Sequence, residues 1–330
     1  LGVEAFEHLS EGKQSLLDLF VFGGCCGHKD LNSFKYGVIA MAAAWEESDQ
    51  PPPVLLANKA NDAVIQLSND ADSAADTDHQ DWHWHFMAER KKELYGDTTV
   101  KCFPDTSNTR YQSHSYAATE TITYHPLYVK HIDEICDGKV KPGENHLESN
   151  VKKGLECPST LAELGAMSLY GVSVSWPYLR EVQGDGAKLI NLLDLTDLHC
   201  KLPIFCDHIT VNPSLLLGPD SPLDQITIDR RPYMDEQLIF SLWTMIKAGD
   251  LLDLDLIISA MFAGAAKGWH QFTTEFAIGG PFDSLTAQEG SLLFIPSMND
   301  ANEGALGSFH VHVHYKPSST TAMFSSHACS

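Results

Sequence analysis

The strongest constraint on the fold is a long stretch of helical periodicity in the second half of the chain. The segment Leu238–Phe272 reads LIFSLWTMIKAGDLLDLDLIISAMFAGAAKGWHQF, and its apolar residues recur at the spacing of one helix face on both sides of a Gly-Asp break. This segment predicts two apolar-faced helices. The mainly helical pattern extends over residues 113–278, with breaks such as Pro142–Gly143. In a chain of 330 residues, this stretch is large enough to form a body of its own.

Strand-like segments flank the helical stretch. The run Leu16–Gly24, LLDLFVFGG, is nearly continuously apolar and ends in glycines, which is typical of a short buried strand. Residues 100–103 form a second candidate strand, and LLFIPS at 292–297 forms a third. Strands before and after a helical middle predict an α/β fold that is interrupted by helices.

The charge balance limits the partners of this chain. Lys and Arg total 22 against 44 Asp and Glu, and the net charge of -22 argues against binding along a phosphate backbone, which depends on basic side chains. No apolar run reaches the roughly 20 residues of a membrane span. The eight scattered cysteines favour a reducing compartment over a disulfide framework. We therefore expect a nuclear or cytoplasmic protein that is neither secreted nor bound to a membrane.

Histidines supply one candidate metal site. In HVHVH the residues His310, His312 and His314 alternate, so on a strand they would project from the same face. Three imidazoles on one face can hold a catalytic zinc ion with an open fourth position. The segment DWHWH at 81–85 repeats the pattern. The alternative is an exposed polar edge, because sixteen histidines make chance pairs common.

Three further segments combine residues that carry chemistry. In CCGHKDLN, Cys25 and His28 have the spacing of half a zinc site, but no second pair follows at zinc-finger distance, and a packing cluster is the alternative. In PDTSNTRYQSH, Arg110 and Tyr111 can bind a phosphate and stack on a base, or Arg110 can form a surface salt bridge. Glu303, in IPSMNDANEGALG, can bind Mg²⁺ or cap a helix.

These three segments resemble, in the same order, motifs of hAT-type transposases. CCGHKDLN resembles the segment after their second catalytic aspartate, NTRYQS resembles T-R-W-x-S with Tyr111 in place of tryptophan, and PSMNDANEG resembles the segment of their last catalytic glutamate. The amino-acid sequence of these segments also resembles that of fungal transposon-encoded proteins. The resemblance implies an α/β, RNase H-like catalytic core at 1–112, a helical insertion at 113–290 and a return to the core at 291–330. It also implies a missing N-terminal part with the first aspartate.

The resemblance implies a DNA transposase as the intact parent. Such enzymes use two aspartates and a glutamate to hold two Mg²⁺ or Mn²⁺ ions, which cleave and join DNA at transposon ends. By resemblance, Glu303 is the catalytic and metal-binding residue, Cys25 and His28 support the core, and Arg110 with Tyr111 binds DNA. We expect this chain to be inactive in DNA cleavage. The sequence leaves open whether it forms a homo-oligomer. The alternatives are a soluble Zn²⁺-dependent hydrolase or lyase that uses HVHVH, and a domesticated, non-catalytic interaction protein.

Overall fold

The structure is a computed structural model of the full chain, in which most of the sequence is described and most of that is helical. The described residues are 7–17, 19–54, 87, 89–96, 103–104, 106, 111–139, 144–184, 190–218 and 221–328.

The helices follow one another with short connections. The α-helices with defined bounds are α1 Glu11–Leu17, α2 Cys26–Glu47, α3 Ser113–Thr123, α4 His125–Asp137, α5 His146–Glu156, α6 Pro158–Tyr170, α7 Trp176–Gln183, α8 Thr196–Val211, α9 Leu223–Ile226, α10 Glu236–Ala248, α11 Leu254–Phe272, α12 Ala287–Leu292, α13 Asp300–Tyr315 and α14 Thr321–Ala328. A π-helical turn spans Gly171–Ser175, and 3₁₀ turns span Leu192–Leu195, Pro213–Leu216 and Thr274–Phe276.

The prediction of an α/β fold with an RNase H-like core is wrong, because the described residues form an all-helical structure without a β-strand. The run Leu16–Gly24 is not a strand: its start belongs to α1, and residues 19–25 have no regular secondary structure. Phe20 and Phe22 are exposed along it, while Val21 packs against the core. An apolar run forms a strand only where a second strand offers its backbone groups, and none of the described residues pairs with this run in a β-ladder.

The segment LLFIPS at 292–297 comes closest to the predicted strands. It contains an isolated antiparallel bridge between Asn191 and Pro296. Two backbone hydrogen bonds flank the bridge, from the Leu192 N–H to the Ile295 carbonyl at 2.7 Å and from the Ser297 N–H to the Ile190 carbonyl at 3.2 Å. Leu292 ends α12, and the residues after it pair with residues 190–192 over too short a length to form a sheet. Of the candidate strand at 100–103, residues 100–102 lie outside the described residues.

The core is built on the crossing of α2 and α11. A Cβ atom added at Gly264 would lie 2.3 Å from the Tyr36 carbonyl oxygen, and one at Gly268 would lie 2.6 Å from the Ser33 Cα. Only glycine permits so close an approach of two helix backbones at these points. Around the crossing, the large side chains of Tyr170, Tyr178 and Trp269 are fully buried. The predicted pair of helices within 238–272 is confirmed as α10 and α11.

One hydrophobic cluster spans parts of the sequence that were predicted to lie in different domains. It contains residues of α2, residues from α6 to α11, and the partly buried Ile295 and Met298. The division at 112/113 and 290/291 stays a prediction. The mainly helical character of residues 113–290 is confirmed for its described parts. None of the described helices is long and apolar enough to cross a membrane.

Candidate functional site

The three segments singled out in the sequence meet at the amino-terminal end of α2. The Cys26 N–H donates a hydrogen bond of 2.9 Å to the Ser297 carbonyl. A Cβ atom added at Gly27 would lie 2.8 Å from the Tyr111 ring and 3.1 Å from the Met298 Cε. We call this contact of Gly27, Tyr111 and Met298 the motif junction. Glycine is required at position 27 because the ring of Tyr111 occupies the space of a side chain.

The segment after Tyr111 fixes that ring beside α2. The rings of His28 and Tyr111 lie 6.5 Å apart and nearly perpendicular, at 72°. Gln112 has a left-handed backbone with φ of 64°, which is uncommon for a residue with a side chain. Its Nε2 donates a hydrogen bond of 2.7 Å to the Ser175 carbonyl, and this buried contact holds the turn. His114 stacks on Phe34 of α2 at 6.3 Å.

A pocket of about 530 Å³ opens beside the motif junction, and we call it the α2 pocket. Cys25 and His28, the C-x-x-H pair at the start of α2, line this pocket. Its walls also combine aromatic rings, amides and a charged pair, contributed by Phe20, Phe22, Asn32, Gln271, Lys29 and Glu275. Phe20 and Phe22 are 87% and 73% exposed, so their ring faces are open to a ligand.

The charged pair at the base of the α2 pocket is largely buried. Lys29 forms an ion pair with Glu275, and its Nζ donates a second hydrogen bond of 2.9 Å to the Phe272 carbonyl. The Gly24 N–H donates to the same Glu275 Oε1 at 3.2 Å. The Nζ also lies 5.6 Å from the centre of the Phe276 ring. These contacts connect the segment before α2 to the end of α11, and they neutralise the ammonium charge of Lys29.

Behind the pocket wall lies a buried cysteine–histidine–tyrosine group. The Tyr178 hydroxyl lies 2.9 Å from His199 Nε2, and His199 Nδ1 lies 2.8 Å from the Leu195 carbonyl, so Nδ1 carries the proton and Nε2 accepts. The Cys26 Sγ is 3.8 Å from the same Nε2. Burial raises the pKa of Cys26 to about 12 and lowers the pKa of His199 to about 4. Both groups are therefore neutral near pH 7, and Cys26 does not form a thiolate nucleophile there.

Asp30 is a buried carboxyl group one residue beyond Lys29. It accepts a hydrogen bond of 2.8 Å from the Ser175 hydroxyl of the π-helical turn. Burial raises its pKa to about 7. A π-helical turn inserts an extra residue into the helical hydrogen-bond pattern. The hydrogen bond between Asp30 and Ser175 links the end of this turn to α2. Asp30 therefore joins α2 to the α6–α7 junction inside the core.

The predicted site residues have different outcomes. Cys25, His28 and Tyr111 come together at the motif junction and the α2 pocket. Arg110 lies outside the described residues. Glu303 lies on α13, five residues after Met298, but its side chain is outside the description. The roles given to these residues by the resemblance stay predictions.

The HVHVH segment is helical, which removes the geometry on which the zinc alternative rested. Residues 310–314 belong to α13, and helical positions separated by two residues point to nearly opposite sides. His312 makes a 2.7 Å hydrogen bond with Ser319 and packs edge-on against Phe324, whereas His310 and His314 are exposed. His312 thus connects α13 to α14 and does not share a face with the other two. The segment DWHWH lies outside the described residues.

The carboxylate that a metal ion would need at the α2 pocket is already engaged. The carboxylate that lines the α2 pocket, Glu275, already accepts hydrogen bonds from Lys29 and the Gly24 N–H. A cation would have to displace the lysine ammonium from it, so this donor does not fit a two-metal site. Among the described residues, no group of three or more His, Cys, Asp or Glu side chains is placed to hold a metal ion. The Mg²⁺ or Mn²⁺ assignment and the Zn²⁺ alternative stay predictions.

Sequence reasoning missed Lys29, Asp30, His199 and Glu275. Lys29 and Asp30 stand inside CCGHKDLN, so a search of that segment for ionisable residues could have included them. His199 and Glu275 carry no local signal, because their partners lie far away along the chain.

No family model matches this chain, and no curated protein and no solved structure shows significant similarity to it.

Proposed function

We propose that this protein derives from a hAT-type transposase and that its motif junction and α2 pocket bind the ends of DNA. The observation that carries the proposal is the convergence of three distant segments. The resemblance rested on CCGHKDLN, NTRYQS and PSMNDANEG, and residues of all three are in contact at the amino-terminal end of α2. This convergence supports the resemblance, which places all three segments in one catalytic region.

The chemistry of the surface supports binding of unpaired bases. Phe20 and Phe22 expose their rings at the mouth of the pocket, and bases stack on such rings regardless of sequence. The amide groups of Asn32 and Gln271 line the same pocket and can both donate and accept hydrogen bonds with a base edge. The imidazole of His28 adds a further polar group beside Tyr111.

The charge distribution supports stacking over phosphate contacts. The ammonium of Lys29 is neutralised by Glu275, and the chain has a net charge of -22. Few phosphates can be neutralised, so the affinity for duplex DNA is weak at physiological salt and its salt dependence is shallow. A strand end with exposed bases binds better, because stacking does not require basic side chains.

The proposal assigns binding, and not strand cleavage, to the described residues. Glu275 is held by Lys29, and Asp30 is enclosed in the core against Ser175. Neither carboxylate is open to a metal ion and a DNA phosphate together.

Fluorescence anisotropy with a labelled single-stranded oligonucleotide and with the duplex of the same sequence tests this proposal. We expect the single strand to bind more tightly, and Phe20→Ala and Phe22→Ala each to weaken binding by about tenfold, since a stacked base contributes roughly 1–3 kcal/mol. Both side chains are exposed, so their truncation leaves the fold intact. Phe240→Ala, at a 63% exposed aromatic residue of α10, is the matched control and should bind as the wild type does. Absence of binding, or an equal loss in all three variants, would refute the proposal.

A further inference from the structure

A second, smaller hydrophobic cluster lies apart from the main core. Its buried members are Met87 and Leu127, and Tyr95, Tyr124 and Tyr128 pack against them. Met87 and residues 89–95 are helical, and we call them the Lys91 segment. Positions 87, 91 and 95 are four residues apart and therefore share one face of a helix. Through this stripe the segment contacts α3 and α4.

The central residue of that stripe is a buried lysine. The Lys91 side chain is 4% exposed, and its ammonium forms an ion pair with Glu120 of α3. The Nζ lies 3.9 Å from the centre of the Tyr124 ring. The same Glu120 Oε1 accepts a hydrogen bond of 2.8 Å from the Tyr128 hydroxyl. A carboxylate, an aromatic face and a hydroxyl that orients the carboxylate therefore surround one ammonium group.

The surrounding groups form a specific environment for that ammonium. Tyr95 packs edge-on against Tyr124 at 5.2 Å, which fixes the ring whose face meets the charge. Burial and the Glu120 carboxylate raise the pKa of Tyr128, so its hydroxyl remains a hydrogen-bond donor. A desolvated cation–π contact and a charged hydrogen bond both stabilise the ammonium in this position. A neutral side chain of the same length would make neither interaction.

We propose that Glu120, Tyr124 and Tyr128 form a recognition site for an alkylammonium group, and that Lys91 is its bound ligand within the same chain. The Lys91 segment is then a strap that closes this site. A partner that carries a lysine on an amphipathic helix, with a large apolar residue four positions to either side, has the chemistry to replace it. The proposal is independent of DNA binding, since none of its residues lines the α2 pocket.

Chemical rescue of the full-length Lys91→Ala variant tests the site. The probe is n-propylammonium, which supplies the atoms removed by the substitution, and 1-propanol is the neutral control of the same shape. Amide hydrogen exchange of residues 89–95 is the readout. We expect exchange in Lys91→Ala to accelerate by about tenfold in this segment and not in α2 or α11, because the docking contact is lost locally. n-Propylammonium should restore the protection, and 1-propanol should not.

A double variant identifies the groups that read the charge. Lys91→Ala combined with Glu120→Gln keeps the shape of the site but removes its carboxylate, so n-propylammonium should no longer protect the segment. A synthetic peptide of residues 87–96 should bind Lys91→Ala more tightly than the wild type, and a peptide with norleucine in place of lysine should not. Equal rescue by 1-propanol, rescue of the double variant, or unchanged exchange in Lys91→Ala would overturn the proposal.

Discussion

Lys29 and Lys91 occupy similar environments in two different regions of the molecule. Their side chains are 5% and 4% exposed, each pairs with a glutamate, and each ammonium lies near an aromatic ring. Lys29 belongs to the main core, where it also bonds the Phe272 carbonyl at the end of α11. Lys91 belongs to the small cluster around Met87 and Leu127. Because the two charges are buried to nearly the same extent, we expect the difference in their roles to come from the elements that their partners connect.

The largest expected effect is that of breaking the Lys29 pair. Lys29→Met keeps the apolar stem but leaves Glu275 in its buried position without the ammonium. We expect the whole protein to lose about 3–5 kcal/mol of unfolding free energy, as for other buried pairs that lose one partner. Urea unfolding followed by far-UV circular dichroism measures this loss.

The matching double variant separates charge from packing. Lys29→Met with Glu275→Leu replaces both charges by apolar groups, so most of the lost stability should return. A double variant that is no more stable than Lys29→Met would show that packing, and not the uncompensated charge, sets the cost.

A second prediction concerns the pH dependence of stability, which we expect to come from groups of the main core. The pKa of Asp30 is raised to about 7 from 3.8, so the folded state takes up a proton that the unfolded state does not. The stability contribution of Asp30 therefore grows as the pH falls through 7 and is lost as the pH rises again. His199 acts in the opposite direction, because its pKa is lowered to about 4 and the unfolded state is protonated first below 6.5.

Asp30→Asn isolates these two contributions. The amide imitates the protonated carboxyl, so at about pH 8 we expect the variant to exceed the wild type by on the order of 3 kcal/mol, with the difference vanishing towards pH 4. Below pH 6.5 the variant should lose stability through His199 and His114, because burial lowers the pKa of both imidazoles and the unfolded state takes up their protons first. Urea unfolding across this range is the measurement, and parallel profiles for the two proteins would contradict the assignment. Hydrogen exchange of the Lys91 segment should follow only the global change.

The third prediction concerns Lys91 and sharpens the comparison directly. Lys91→Met is the counterpart of Lys29→Met, with the same substitution at an equally buried pair. The partners of Lys91 connect only a local segment. We therefore expect the unfolding free energy of the whole protein to change by less than about 1 kcal/mol, while residues 89–95 lose protection from amide hydrogen exchange. Equal losses of global stability in Lys29→Met and Lys91→Met would remove the distinction between the two regions.

Helices were predictable where their pattern was long, and strands were not. The apolar residues of Leu238–Phe272 repeat over several turns, so only an amphipathic helix pair satisfies them. The runs LLDLFVFGG and HVHVH are short. A pattern over so few residues predicts a strand only where a partner strand is present. In the structure HVHVH is part of α13, and its His312 contacts Phe324 of α14. Gly264 and Gly268 stand four residues apart and so share one helix face, but this spacing does not specify which helix crosses there.

The candidate site was predictable in some of its residues, such as Cys25, His28 and Tyr111, but not in its contacts. The segments around Cys25, Tyr111 and Ser297 were recognised because unusual residues stand close together within each. The Lys29–Glu275 pair joins residues 246 positions apart, and no local pattern specifies such a pair. The tertiary fold alone brings the glutamate to the lysine, and the same holds for His199 beside Cys26.

The smallest expected effect comes from a third lysine, which serves as the reference for the other two. Lys201 pairs with Asp197 one turn earlier on α8, but the side chains are 52% and 80% exposed. Water already solvates both charges, so Lys201→Met should change the unfolding free energy by less than about 0.5 kcal/mol. Amide exchange in α8 should also stay unchanged, because neither residue attaches α8 to another element. A loss in Lys201→Met as large as that in Lys91→Met would mean that local exchange reports any lost ion pair, whereas the contrast predicted here requires that it report only a lysine that connects two elements.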